Sequence, residues 1–157
     1  MKKCFFLFAL IPAITIAQYS GIVFYNGTLA DATSEAKKDN KMIFVDCYAE
    51  WCYPCKWMAD NVFTDTVVAS FYNKNFVSIK LDGEKGEGID FAKKNNVVAY
   101  PTFIYLNTAG EMIHKTVGQA EANEFLQYGK DATSKTENLI ELQLRYKNGE
   151  RTSDFLY

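Results

Sequence analysis

From Met42 to Tyr48 the chain reads Met-Ile-Phe-Val-Asp-Cys-Tyr, a β-branched and aromatic run with little alternation. That pattern belongs to a strand covered on both faces. Phe76 to Leu81 has the same character, and Gly21 to Phe24 is a shorter strand candidate closed by Asn26-Gly27. Helical periods fall between these runs. Thr28 is placed to cap a helix whose Leu29, Ala32 and Ala36 share one face, ended by Asp39-Asn40. Pro54 to about Phe63 reads as a helix with Met58 and Val62 one turn apart, and Val67, Val68, Phe71 and Tyr72 form a second apolar face. Gly83, Gly86 and Gly88 mark a loop ahead of a short helix through Ile89 and Ala92.

Beyond Pro101 the pattern changes to a hairpin. Thr102–Leu106 and Glu111–Val117 are predicted strands joined across Asn107-Thr108-Ala109-Gly110, with the glycine supplying the permissive turn position. Ala122, Phe125, Leu126 and Gly129 then have the spacing of a helix lying on the sheet. Strand–helix alternation followed by an antiparallel hairpin and a helix predicts an α/β domain, a central mixed sheet flanked by helices. Residues 131–157 carry an extra C-terminal helix: Leu139, Leu142 and Tyr146 line one face, Ile140 and Leu144 widen it, and Asn148-Gly149 stops it. This helix is expected to pack on the domain or on a partner. Asp154 to Tyr157 begins one more apolar face.

Composition narrows the class. With 157 residues, 48% hydrophobic and 23% charged, the chain suits one globular domain with a substantial core. Met1-Lys2-Lys3 is a positive start, and the apolar run from Cys4 to Ile16 is too short to span a bilayer and is broken by Pro12. Thr15-Ile16-Ala17 then offers small residues ahead of Gln18. A cleaved signal peptide over residues 1–17 is the expectation, with the domain at 18–130, the extension at 131–157, and export across the inner membrane to the periplasm. The mature chain would carry 15 Lys+Arg against 19 Asp+Glu, a net charge of −4. That balance argues against nucleic acid as a partner, since a basic footprint is missing.

The candidate chemistry lies in Trp51-Cys52-Tyr53-Pro54-Cys55-Lys56, which follows the first strand and opens a helix. Aligned backbone dipoles and unpaired N–H groups at a helix start favour thiolate over thiol, which makes Cys52 a candidate nucleophile. A thiol of pKa ~8.5 is about 3% ionised at pH 7, whereas one near ~7 is about half ionised. Three cysteines would survive cleavage, Cys47, Cys52 and Cys55. An odd count speaks against a purely structural framework. Zinc ligation and an inert structural bond are the rival readings of the pair. Zinc needs about four ligands, and the mature chain adds only Cys47 and a single His114. Neither a metal nor a cofactor is therefore expected. Cys47 reads as a buried small hydrophobe and His114 as a solvated hairpin residue.

Val45 to Lys56, together with Val98-Ala99-Tyr100-Pro101-Thr102 and Val117-Gly118, resembles the thioredoxin-like family over roughly residues 24–130. The nearest likeness is to secreted domains of bacterial envelope disulfide reductases. The resemblance implies that Cys52 is the exposed nucleophile and Cys55 the less exposed resolving cysteine. It implies a cis bond before Pro101, which faces the pair and lets the Tyr100 backbone receive a peptide in β-like fashion. Asp46 corresponds to the buried acid beneath the pair, Lys80 to its lysine partner and Trp51 to the shield over the disulfide. Structural pairing of Asp46 with Lys80, or a lysine merely reaching solvent, is the alternative for those two. Departures from the cytosolic pattern are Tyr53, which adds aromatic surface beside the nucleophile, Cys47 in place of an aromatic, and Asp60 in place of a helix-kinking proline.

Together these readings predict a secreted thiol–disulfide oxidoreductase, a monomer, acting as a reductant on disulfide-bearing proteins. Trp51, Tyr53, Pro54, Tyr100 and Pro101 would receive the substrate. Since no histidine lies between the cysteines, one source of thiolate stabilisation in oxidising members is missing. A reductant in an oxidising compartment needs an electron donor, here expected to be a membrane protein. The alternatives are a thioredoxin-like partner-binding module with a secondary redox role, or an oxidase or isomerase.

Overall fold

Four strands form one sheet in the order β2-β1-β3-β4 in a computed structural model that describes residues 20–136 and 138–150. The expected signal peptide and the apolar face at 154–157 lie outside the described residues. In chain order the elements are α1 (Leu29–Asp39), β1 (Met42–Tyr48), α2 (Tyr53–Asn61), α3 (Thr66–Asn75), β2 (Phe76–Asp82), α4 (Glu87–Lys94), β3 (Thr102–Leu106), β4 (Met112–Val117), α5 (Ala122–Thr133) and α6 (Leu139–Lys147). β1 and β2 run parallel, with Asp46 beside Lys80 in register. β3 pairs antiparallel with both β1 and β4, setting Cys47 beside Thr102 and Tyr105 beside His114.

The near-continuous apolar run of β1 is buried on both sides because consecutive residues enter different cores. Phe44 joins Met58, Val62, Phe63, Tyr72, Phe103 and Phe125 under α2, α3 and α5. Ile43 and Val45 join Ala32, Ala36, Ile79, Phe91 and Ile104 under α1 and α4. The first core is aromatic, with the Tyr72 and Phe125 rings stacked at 4.7 Å and Phe44 edge-on to Tyr72 at 5.0 Å. Its polar ends are satisfied: the Tyr72 hydroxyl donates to the Phe125 carbonyl at 2.9 Å and lies 2.8 Å from that of Tyr105. Thr28 caps α1 as its sequence implied, and the Asp31 side chain answers by accepting the Thr28 N–H.

Four expectations need correction. Gly21–Phe24 is not a strand; only Phe24 bridges, to Ser78, because the Val23 N–H is taken by the Asn73 side chain at 2.8 Å. The helix begun at Pro54 stops at Asn61, since the Met58 carbonyl accepts from both Val62 and Phe63 and closes the turn. β4 starts at Met112, because Glu111 is held in the turn by Asn107 through its N–H and carbonyl. His114 is not solvated. It lies half-buried between β4 and α6, with its Nδ1 accepting from the Leu139 N–H, the first of α6, at 3.2 Å.

α6 packs on β4, and its Leu139, Ile140 and Leu142 are half-buried. Leu144 and Tyr146 remain exposed.

Candidate active site

β1 delivers the site. Its last residues lead into a turn closed by the Cys52 N–H on the Ala49 carbonyl at 3.0 Å, and α2 begins at the next residue. Cys52 is the N-cap of α2, and its Sγ accepts the Cys55 backbone N–H at 3.1 Å. A sulfur therefore occupies the position where a helix end presents unpaired donors and positive dipole, which favours negative charge on it. Pro54 sits in the first turn, where its missing N–H costs nothing. Cys52 and Cys55 are joined in a disulfide, their Cα atoms 5.3 Å apart.

The order of exposure differs from that expected. Cys52 is 1% exposed and Cys55 6%, so the first cysteine is the more covered. Its sulfur is turned into the first helical turn by the bond to the Cys55 N–H, and Ala49, Tyr48 and Tyr100 pack around the pair. A cleft of about 210 Å³ reaches Cys55 from the side of Tyr48, Ala49, Glu50, Lys56, Ala59 and Lys80.

The antiparallel register of Cys47 with Thr102 carries Pro101 to the end of β1 from which the cysteine turn departs. The Tyr100–Pro101 peptide bond is cis. This corner is fixed by the Gly118 N–H on the Pro101 carbonyl at 2.9 Å and the Thr102 hydroxyl on the Ala99 carbonyl at 2.7 Å. Trp51 and Tyr53 are 69% and 75% exposed on the same end of the molecule. The Trp51 ring meets that of Tyr100 edge-on at 6.1 Å, while its Nε1 donates to Glu84 at 3.0 Å. Below Tyr100 lies Gly83, where any Cβ would overlap the phenol ring.

Asp46 is buried on β1, two residues before the end of the strand. Burial pushes its carboxyl up to about 6, opposed by the Lys80 ammonium. Lys80 lies 3.4 Å from Oδ2, in ion-pair contact but too poorly aligned to donate a hydrogen bond to it. Cys47, which faces the other core, is inert by comparison: burial and the nearby Asp46 and Asp82 charges push its thiol up to about 12.

All nine sequence-predicted residues thus fall at the end of the sheet where β1 stops and β3 starts. Sequence reading missed Glu84, which holds Trp51, and Phe24 and Phe63, whose rings lie 5.0 and 5.3 Å from the Lys80 ammonium. A charged residue two positions after the end of β2 and isolated aromatics carry no spacing signal of their own.

Residues 24–108 match the sequence model of the thioredoxin-like family. Thioredoxin H4 of Arabidopsis thaliana is 36% identical over 84 residues, 54% of this chain and 66% of its own length. The thiol:disulfide interchange protein DsbD of Tatumella citrea is 27% identical over 122 residues, 74% of this chain but only 21% of that much longer protein. The chain therefore spans less than two thirds of either curated relative. Among solved structures, a Bacteroides thetaiotaomicron protein provisionally described as a disulphide-isomerase is 40% identical. It superimposes with a TM-score of 0.68 over 76% of this chain and 98% of its own. A thioredoxin from Thermus thermophilus, 25% identical, gives 0.66 over 73% and 89%. Because the matched stretch takes in β1, the disulfide turn and the proline corner together, the chain belongs to the thioredoxin-like family.

Proposed function

We propose that this chain is a thiol–disulfide oxidoreductase that reduces disulfides of exported proteins. The observation that carries the reading is the Cys52–Cys55 disulfide at the start of α2, with a backbone N–H already directed at the first sulfur. In the reduced state the Cys52 thiolate attacks one sulfur of a substrate disulfide, and the other sulfur leaves as a thiolate. The resulting mixed disulfide is opened when Cys55 loses its proton and attacks Cys52 Sγ. Two electrons have then passed to the substrate, which leaves as a dithiol, and the protein is left in the disulfide form.

Asp46 is the base for the Cys55 proton. With its carboxyl near 6 it is mostly ionised at neutral pH, yet close enough to a thiol in proton affinity to exchange with it. Trp51, Tyr53 and Tyr100 supply aromatic contact for the substrate chain, and the backbone around the cis Tyr100–Pro101 bond pairs with it. The burial of Cys52 means that the aromatic cover must shift before the sulfur is reached. The protein is exported after loss of residues 1–17 and works as a monomer in the periplasm. Each cycle is reset by a dithiol donor, a membrane protein. The absence of a histidine between the cysteines supports the reducing direction.

Two measurements test this. Equilibration with glutathione should place the potential toward the thioredoxin end of the scale, about −270 mV, and a value near about −120 mV would make the protein an oxidant instead. A Cys55→Ser variant expressed with its own leader should accumulate mixed disulfides through Cys52. Recovery of no linked protein would remove the enzymatic reading.

A further inference from the structure

The Lys80 ammonium is surrounded. Three ring faces lie around it: Phe24 at 5.0 Å, Phe63 at 5.3 Å and Tyr48 at 5.6 Å. The Asp46 carboxylate is the fourth wall, at 3.4 Å. These rings come from three places in the chain: the segment ahead of α1, the end of β1 and the turn after α2. A lysine at a strand end would otherwise extend its flexible stem into water. Here the Lys80 side chain is only 34% exposed and its charge meets ring quadrupoles instead. The parallel register that sets Lys80 beside Asp46 places the ammonium on the correct face but does not fix it there.

We propose that Phe24, Tyr48 and Phe63 are positioning residues: their ring faces hold the Lys80 ammonium over Asp46 and so set the affinity with which Asp46 takes the Cys55 proton. The proposal rests on the exchange reaction above. Lys80 is the charged group that acts on Asp46 among the described residues. The neutral titratable groups that sense Asp46 are Cys47 and Tyr48 on its own strand and Tyr105 on β3. Glu50 and Lys56 line the cleft outside. Loosening the cage lets the ammonium drift to solvent. Asp46 then keeps its desolvation and loses its counter-charge, so it holds a proton to higher pH.

The test is an NMR titration of the Asp46 side-chain carboxyl in the disulfide form, paired with the acid limb of single-turnover product release. Phe24→Leu and Tyr48→Leu keep an apolar side chain and remove a ring, and because the two half-buried sites pack against different clusters, a packing defect at one does not compromise the other. Each should raise the Asp46 midpoint by about half a pH unit, the scale of one ring–cation contact. The acid limb should move by the same amount. Lys80→Met should raise the midpoint further, and adding Phe24→Leu or Tyr48→Leu to it should change nothing more. A midpoint unmoved by both ring variants, or moved equally with Lys80 absent, overturns the cage. A midpoint that moves while the acid limb stays fixed leaves the cage standing and overturns the role of Asp46 in proton transfer.

Discussion

Asp46 is a residue whose burial costs the fold something. A carboxyl held near 6, against an ordinary 3.8, binds its proton more tightly folded than unfolded. Its contribution is intact below about pH 4 and is lost as pH rises through about 6. At pH 8 the full difference, about 3 kcal/mol, works against folding. Asp46→Asn should therefore raise the free energy of unfolding by up to that amount at pH 8 and hardly at all at pH 4. The same variant should slow release of the mixed disulfide. Urea titrations at the two pH values check the first outcome, and equal stabilisation at both would refute the linkage. Asp46 and Lys80 could be paired from the sequence only through the family resemblance, and the parallel register of β1 and β2 is what sets them side by side in the structure. Phe24 could not be read this way, since its role arises only when the chain ahead of α1 folds back beside Ser78.

Elements with an unbroken period were legible: β1 and β2 from their apolar runs, α5 from its spacing, the hairpin from its glycine turn. Their ends were not, because side chains decide them. Asn73 takes the backbone donor at Val23, and Asn107 holds Glu111 out of β4. That α6 would pack on the domain or on a partner was legible, but its attachment to β4 was not: beside the Asn138 cap, its first N–H is taken by an imidazole 25 residues earlier. That imidazole bond carries a pH dependence. Burial holds the His114 ring below its ordinary 6.5, with Asp131 opposing weakly, so the folded state favours the neutral form that can accept from Leu139. Docking of α6 is therefore fully supported above pH 6.5 and weakens as pH falls below it, when protonation replaces an acceptor with a positive donor at a helix start. Amide hydrogen exchange, corrected for its intrinsic pH dependence, should show α6 losing protection between pH 7 and pH 5 while β1 keeps it. In His114→Leu the difference should vanish, α6 being less protected at both values. Unchanged protection in the wild type would exclude the imidazole as the sensitive group.

Across the whole molecule the two cores and the chemistry are kept apart. The aromatic layer and the aliphatic layer fill the sheet faces, and the reactive sulfurs lie beyond its end in a small cluster of their own. The overall architecture was readable for that reason, whereas the cover over Cys52 was not, because loops from three strands assemble it. Gly83, directly after β2, is the floor under one part of that cover. A methyl group there would work as a wedge, lifting the Tyr100 phenol outward without touching either cysteine. Gly83→Ala should speed alkylation of reduced Cys52 and weaken retention of extended peptides, leaving the redox potential where it was. Unaltered alkylation would mean that the ring yields sideways. The aperture above the sulfur is thus adjustable from behind, by a residue that no incoming chain would meet.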